Sequence, residues 1–303
     1  MTPYRGRFAP TPSGALHFGS LIAALASFLD ARRAGGQWLL RIEDIDPPRC
    51  PPEAADTILR QLEAFGLHWD GSIRCQSERN EAYAAALECL KSQGLAYPCS
   101  CSRKQWRDFP TYPGWCRQGV REPDKPSAWR LRSDKGLRPV TWQDRLFGTQ
   151  CFDPVELGDV VLKRKDGLWA YQLAVVVDDA DQGITDVVRG FDLLDNTPWQ
   201  RQLQHALGLP EPRYLHLPLI MNRDGQKLSK QNLAPALPVM ERAVRPLLHR
   251  ALAALDQAPP DSLATAPAAE QLDWAIAHWE VDRIRPEATR QAAAADMAAT
   301  DPS

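Results

Sequence analysis

The feature that most restricts the fold is the alternation of residues 5–42. Residues 5–9 form a short semi-apolar run, and Pro10, Pro12 and Gly14 then break regularity. Residues 16–34 carry Leu21, Ile22, Leu25, Phe28 and Leu29 at helical spacing before Gly35-Gly36. Residues 38–42 follow as a strand-like run, four of five apolar, with turn residues on both sides. Two more helices are predicted: one from Pro51-Pro52 to Gly66 with Ile58, Leu59, Leu62 and Phe65 on one face, and one from Ser77, read as its N-cap, to Gly94. This pattern predicts an α/β fold around a parallel sheet.

At 303 residues the chain exceeds one ordinary domain, so an insertion or a second domain is expected. The net charge of −2 excludes a global polycation, so any charge signal must be local. Residues 98–150 supply it. They hold Trp106, Trp115, Trp129 and Trp142, three cysteines, and eleven Lys/Arg against five Asp/Glu, a local +6 without helical period. We read an insertion over residues 98–184. It would close on a hairpin of residues 160–165 and 168–172 around Asp166-Gly167.

Strand-like residues 185–189 and 214–220 flank a helix that Asn196 or Thr197 would cap, with Pro198 in its first turn and Gly208 after its end. The expected organisation is a core split between residues 1–97 and 185–238, a helical segment over 239–287, and a fraying Ala-rich tail over 288–303. No run of eighteen apolar residues occurs and the start lacks the apolar core of a signal peptide, so a soluble, cytoplasmic protein is expected. Seven cysteines, an odd number, point to metal binding or buried thiols instead of a disulfide framework.

Two strings carry chemistry. The first, Arg7-Phe8-Ala9-Pro10-Thr11-Pro12-Ser13-Gly14-Ala15-Leu16-His17-Phe18-Gly19-Ser20, lies at a strand-to-helix junction, where free N–H groups and the positive helix end suit a triphosphate. The second, Gly225-Gln226-Lys227-Leu228-Ser229-Lys230-Gln231, suits a mobile loop that brings cations onto polyphosphate. The first string resembles the HIGH motif of class I aminoacyl-tRNA synthetases in its glutamate-specific form; the second resembles KMSKS. The resemblance implies a Rossmann-type core in which His17, Lys227 and Lys230 are catalytic and His17, Gly19 and Lys230 bind ATP with Mg²⁺.

Arg41-Ile42-Glu43-Asp44-Ile45-Asp46 and Arg189-Gly190-Phe191-Asp192-Leu193-Leu194-Asp195-Asn196-Thr197-Pro198 also look like the glutamate-specific branch. A dicarboxylic amino acid needs a carboxylate for its ammonium and an arginine fork for its side chain, which Glu43 with Arg7 and Arg189 would supply. Ala9, Thr11 and Tyr171 complete the implied glutamate site. Cys99, Cys101 and Cys116 are a weak zinc pattern on spacing alone, lacking a fourth soft ligand. The spacing with Tyr112 resembles the site of glutamyl-queuosine tRNA(Asp) synthetases, which implies one structural Zn²⁺ with the tyrosine oxygen as fourth ligand.

Only about seventy residues follow Lys230, too few for the anticodon-binding domains of a discriminating glutamyl-tRNA synthetase. The resemblance is therefore to the short glutamyl-queuosine branch over nearly the whole chain. It implies a monomer that activates glutamate without tRNA and transfers it to queuosine in tRNA(Asp). The rival readings are a short synthetase charging tRNA(Glu), a small-molecule adenylyltransferase of the same superfamily, and a non-catalytic RNA-binding paralogue.

Overall fold

A computed structural model of the chain describes residues 3–134, 139–221 and 235–291, with the backbone alone at Pro154. The expected opening is present as β1 (Arg5–Phe8), α1 (Phe18–Arg33) and β2 (Gln37–Ile42). β1 and β2 are parallel, in register from Arg5 opposite Gln37 to Phe8 opposite Leu40. The return from α1 passes so close to the chain before β1 that a Cβ on Gly36 would lie 2.4 Å from the Tyr4 carbonyl oxygen. Only glycine fits there.

The chain continues through α2 (Ala54–Ala64), β3 (Arg74–Cys75) and α3 (Asn80–Ser92). Ser77 does not cap α3. Its N–H and hydroxyl both donate to Asp44, at 2.8 and 2.7 Å, and the helix begins three residues later. A small antiparallel sheet of β4 (Ala96–Cys99), β5 (Ala128–Leu131) and β8 (Val161–Lys163) then lies beside the core, in the order β4-β5-β8. Between β5 and β8 come β6 (Val140–Asp144), β7 (Gly148–Phe152) and the short α4 (Pro154–Leu157).

The second half of the parallel sheet is β9 (Asp186–Gly190) and β10 (Arg213–Leu217), joined by α6 (Thr197–Leu207) after α5 (Tyr171–Asp181). The end of α6 follows the sequence signal, with Gly208 in the left-handed region at φ 64°. The Thr185 N–H donates to the Arg5 carbonyl at 2.9 Å, so β9 runs beside β1. The strand order is therefore β3-β2-β1-β9-β10-β6-β7, and it reverses between β1 and β9. Open α/β sheets bind ligands at such a reversal, outside the carboxyl ends of the strands.

Four further features differ from the sequence reading. The β6–β7 hairpin, read with the insertion, extends the main sheet through Tyr214 of β10 opposite Asp144 of β6. The hairpin expected around Asp166-Gly167 has only a single bridge, Lys163 to Trp169, as its return arm. Tyr171 accordingly opens helix α5 instead of closing a strand. Finally, the 288–303 tail contains β12 (Thr289–Gln291), which pairs in parallel with β11 (Leu219–Met221).

The last helices, α7 (Glu241–Ala254) and α8 (Ala268–His278), pack into the same apolar core as α1, β1 and β2. Val244, Leu248 and Leu252 of α7 and Leu272 of α8 are buried with Leu21, Leu25 and Leu29 of α1. Among the described residues no helix is long and apolar enough to cross a membrane.

Candidate active site

Two cavities open at the carboxyl ends of β1, β2, β9 and β10. The first, about 450 Å³, is lined by Thr11, Ser13, His17 and Gly19 from the β1–α1 junction and by Gly190, Asp192 and residues 217–220 from the far side. Gly14 holds a φ of 137° in this loop, a value that side chains avoid. Gly19 differs: it lies in the first turn of α1 and lines the cavity from the helix end. His17 is the N-cap of α1, its Nδ1 accepting from the Ser20 N–H at 3.3 Å. A neutral imidazole with that acceptor carries its proton on Nε2.

Lys227 and Lys230 lie outside the described residues, but the chain on either side of them does not. Ile220 lines the cavity, and beyond residue 234 Leu237 donates its N–H to the Leu16 carbonyl at 2.8 Å, with Ala236 bridged to His17. Both flanks of the lysine-bearing segment are thus anchored at the cavity.

The second cavity, about 590 Å³, is lined by Ala9, Thr11, Glu43, Asp46, Arg49, Arg164 and Tyr171, among others. Thr11 and Leu193 line both cavities, so the two are contiguous. Beneath the second lies a buried charge network. Arg41, fully buried, donates to Glu43 at 3.3 Å and pairs with Asp179 at 2.8 Å. Arg7 grips the same Asp179 through Nε and Nη2, at 3.1 and 3.4 Å. Arg41 and Asp179 were not among the residues singled out from sequence. An arginine inside the apolar run Trp38-Leu39-Leu40-Arg41-Ile42 was the available signal, because a buried cation needs a buried partner.

The two carboxyls of this network respond in opposite directions. Burial pushes Glu43 upward by more than Arg41 and Arg7 pull it down, and Asp179 adds to the rise. At Asp179 burial also acts upward, but the guanidiniums of Arg7 and Arg41 outweigh it and hold the carboxyl below its ordinary range. Glu43 is therefore the less compensated anion and faces the cavity, where an incoming cation would favour its ionised form.

Arg189 is buried behind Tyr171 and Leu193 of the second cavity and held by five acceptors, one of them the Leu193 carbonyl at 3.3 Å. It donates to Tyr171 Oη at 3.4 Å, Gln200 Oε1 at 2.8 Å, Thr197 Oγ1 at 2.7 Å and His216 Nε2 at 3.1 Å. The His216 Nδ1 faces Asp144 Oδ2 at 2.6 Å, both side chains fully buried. Burial and the nearby Arg189 lower His216 in spite of Asp144. A neutral His216 that donates from Nδ1 to Asp144 can accept from Arg189 at Nε2, so the pair fixes the guanidinium through its acceptor nitrogen. Asp144 and His216 are 72 positions apart, and neither was predicted.

The four residues expected to hold zinc meet in a separate buried cluster beside β4. The Sγ atoms of Cys99, Cys101 and Cys116 lie within 4.8 Å of one another. Tyr112 Oη is 3.3 Å from the Cys99 sulfur and 3.6 Å from that of Cys101. Burial acts to raise the Cys116 thiol, but the Arg121 N–H and the Tyr112 hydroxyl lead the hydrogen bonds that bring it down to about 6. Three convergent sulfurs and a phenol oxygen are a donor set of the size and softness that zinc takes. Cys50, Cys75, Cys89 and Cys151 lie outside this cluster.

Comparison with known proteins gives the family and the fold. The family "tRNA synthetases class I (E and Q), catalytic domain" matches residues 4–111 and 116–246. A glutamyl-Q tRNA(Asp) synthetase of Thiobacillus denitrificans is 56% identical over 288 residues, covering 92% of this chain and 94% of that protein. The corresponding protein of Ectopseudomonas mendocina is 56% identical over 285 residues, covering 93% and 95%. In fold, the chain is similar to a glutamate tRNA ligase of Elizabethkingia meningosepticum, with a TM-score of 0.81, 24% identity, and coverage of 97% of this chain and 68% of that one. With the contiguous cavities on a reversing parallel sheet, these likenesses make the chain a class I tRNA synthetase of the glutamyl-Q tRNA(Asp) synthetase family.

Proposed function

We propose that the protein activates L-glutamate with ATP, without tRNA, and then passes the glutamyl group to a hydroxyl of the cyclopentenediol ring of queuosine at the wobble position of tRNA(Asp). The observation that carries this reading is the adjacency of the two cavities, which share Thr11 and Leu193 as lining. One has a helix end and a histidine for phosphates; the other has a buried carboxylate on its wall and, behind Tyr171 and Leu193, a fixed arginine for a dicarboxylic amino acid. The names of the relatives support queuosine-bearing tRNA(Asp) as acceptor.

Glutamate's ammonium would meet Glu43, and its side-chain carboxylate would meet Arg189 with Tyr171. Arg7 shares its guanidinium with Asp179, so its part is to hold positive charge beneath the pocket as well as to bind. The main chain at Ala9 and Thr11 would direct the α-carboxylate toward the first cavity. There a carboxylate oxygen attacks the α-phosphorus of ATP, the new P–O bond forms, and pyrophosphate leaves with its bridging oxygen. His17 and the start of α1 at Gly19 would stabilise the phosphates, with Lys227 and Lys230, and Mg²⁺ enters with ATP as part of the substrate.

Cys99, Cys101, Cys116 and Tyr112 would hold one Zn²⁺, whose part is to brace the segment between β4 and β5. We read residues 98–184, which contain that segment, as the inserted subdomain and α7 with α8 as a small helical one. ATP–pyrophosphate exchange across the amino acids tests the activation step. Exchange with glutamate alone, in the absence of RNA, is expected; exchange with none would reject the enzyme.

A further inference from the structure

We infer that a basic groove beyond the glutamate pocket holds backbone phosphates of the RNA strand that flanks the acceptor nucleotide. The inference rests on the reading above and deepens it by naming where the partner is gripped. The groove encloses about 370 Å³ and is lined by Arg103, Arg130, Arg164 and Lys165 with one carboxylate, Asp166.

Its position relative to the other cavities is what assigns it. Val161 and Arg164 line both the groove and the second cavity, as Thr11 and Leu193 line both the second and the first. The three spaces therefore run in series: phosphate cavity, amino-acid pocket, basic groove. At about 590 Å³ the middle cavity lies within the range of sites for drug-sized ligands, well beyond what one small amino acid fills. That surplus leaves room for the nucleoside that receives the glutamyl group. A nucleoside inserted there must lead its two phosphates back out, and the Val161–Arg164 ridge is a way out lined by cations.

The side chains suit that occupant. Arg103 is exposed, with its guanidinium 5.9 Å from the centre of the Trp106 ring. Arg130 is nine-tenths buried, donates to the Asp159 carbonyl at 2.8 Å and lies 4.2 Å from the centre of the Tyr112 ring, so it adds fixed positive charge to the groove wall. Lys165 reaches the Ser100 carbonyl, which uses one of its three donors. Arg164 is shared between Asp46 at 3.2 Å and Asp166 at 2.6 Å. Its two carboxylate partners are themselves at the groove and the pocket, so a phosphate entering between them competes for a cation already pointed at its path. Cations over single-stranded backbone bind without reading sequence, which leaves selection of the base to the pocket.

The test measures binding of an anticodon stem-loop RNA to the full chain as a function of salt, by fluorescence anisotropy, for wild type, Arg103→Ala/Lys165→Ala, and Arg107→Ala. Arg107 is an exposed arginine outside the groove and serves as the control. The expected result is that the double variant binds roughly tenfold more weakly, with a salt slope shallower by about 1.4, two single-strand phosphate contacts at about 0.7 each. Arg107→Ala should match wild type. Glutamate-dependent exchange by the double variant reports that the core is folded. Unchanged affinity and slope in the double variant, or an equal loss in Arg107→Ala, would overturn the groove, as would a wild type that binds no RNA. Binding that behaves as expected, with no glutamyl transfer to queuosine by wild type, would instead overturn the acceptor and leave the groove standing.

Discussion

The amino-acid pocket and the cysteine cluster both bury polar groups, but they draw compensation from different places. In the pocket every buried charge has a partner within the chain, and the partners come from strands and helices far apart in sequence: Arg7 and Arg41 with Asp179, Arg189 with His216 and Asp144. In the cluster three thiols and a phenol from residues 99–116 bond chiefly one another. Sulfur hydrogen bonds are weak, so on the reading proposed above a cation would complete that set. The pocket should thus stand without its ligand, and the cluster should depend on its metal.

The largest expected effect tests the cluster. Metal analysis should find about one equivalent of zinc in wild type and close to none in Cys101→Ser. Equal content in the two proteins would place the cluster with the pocket, as a self-sufficient core. Next comes the pocket. Asp179→Ala strands the buried Arg7 guanidinium and takes one of the partners of Arg41, and should lower unfolding free energy by about 3–5 kcal/mol in denaturant titration. A loss under about 1 kcal/mol would mean that the network is solvated.

A smaller effect separates holding from binding. His216→Asn removes the acceptor for Arg189 Nε and should raise the glutamate KM in pyrophosphate exchange roughly tenfold, with a smaller change in kcat and in the ATP KM. An equal loss in every parameter would indicate general unfolding.

The smallest effect is the pH dependence. Burial lowers His216, so the unfolded chain takes up this proton first as pH falls below about 6.5. Unfolded protein then binds more protons than folded, and stability drops with acidification from that point. Thermal melts at pH 7 and pH 5 should show a larger fall in Tm for wild type than for His216→Asn.

How much of this was readable in advance follows the same division. β1, α1, β2 and α6 are local structures with breakers, caps and periodicity of their own, and residues 99–116 hold the whole donor set in one stretch. Helix α5 was hidden because Leu173 to Val177 is buried on all sides, which erases amphipathic period and leaves three valines that look like a strand. Asp178-Asp179 reads as a solvated pair until Tyr83, Arg79, Arg7 and Arg41 are folded onto it. The role of Asp144 needed the β6–β7 hairpin to be placed against β10, a long-range pairing that no local signal announces.

The central claim is that a glutamate-activating core of this kind serves queuosine instead of a tRNA terminus. Labelled glutamate and ATP offered with tRNA(Asp) containing queuosine, tRNA(Asp) lacking it, and tRNA(Glu) tests it most directly. Label on queuosine-bearing tRNA(Asp) alone is the predicted result, and label confined to tRNA(Glu) would contradict the account.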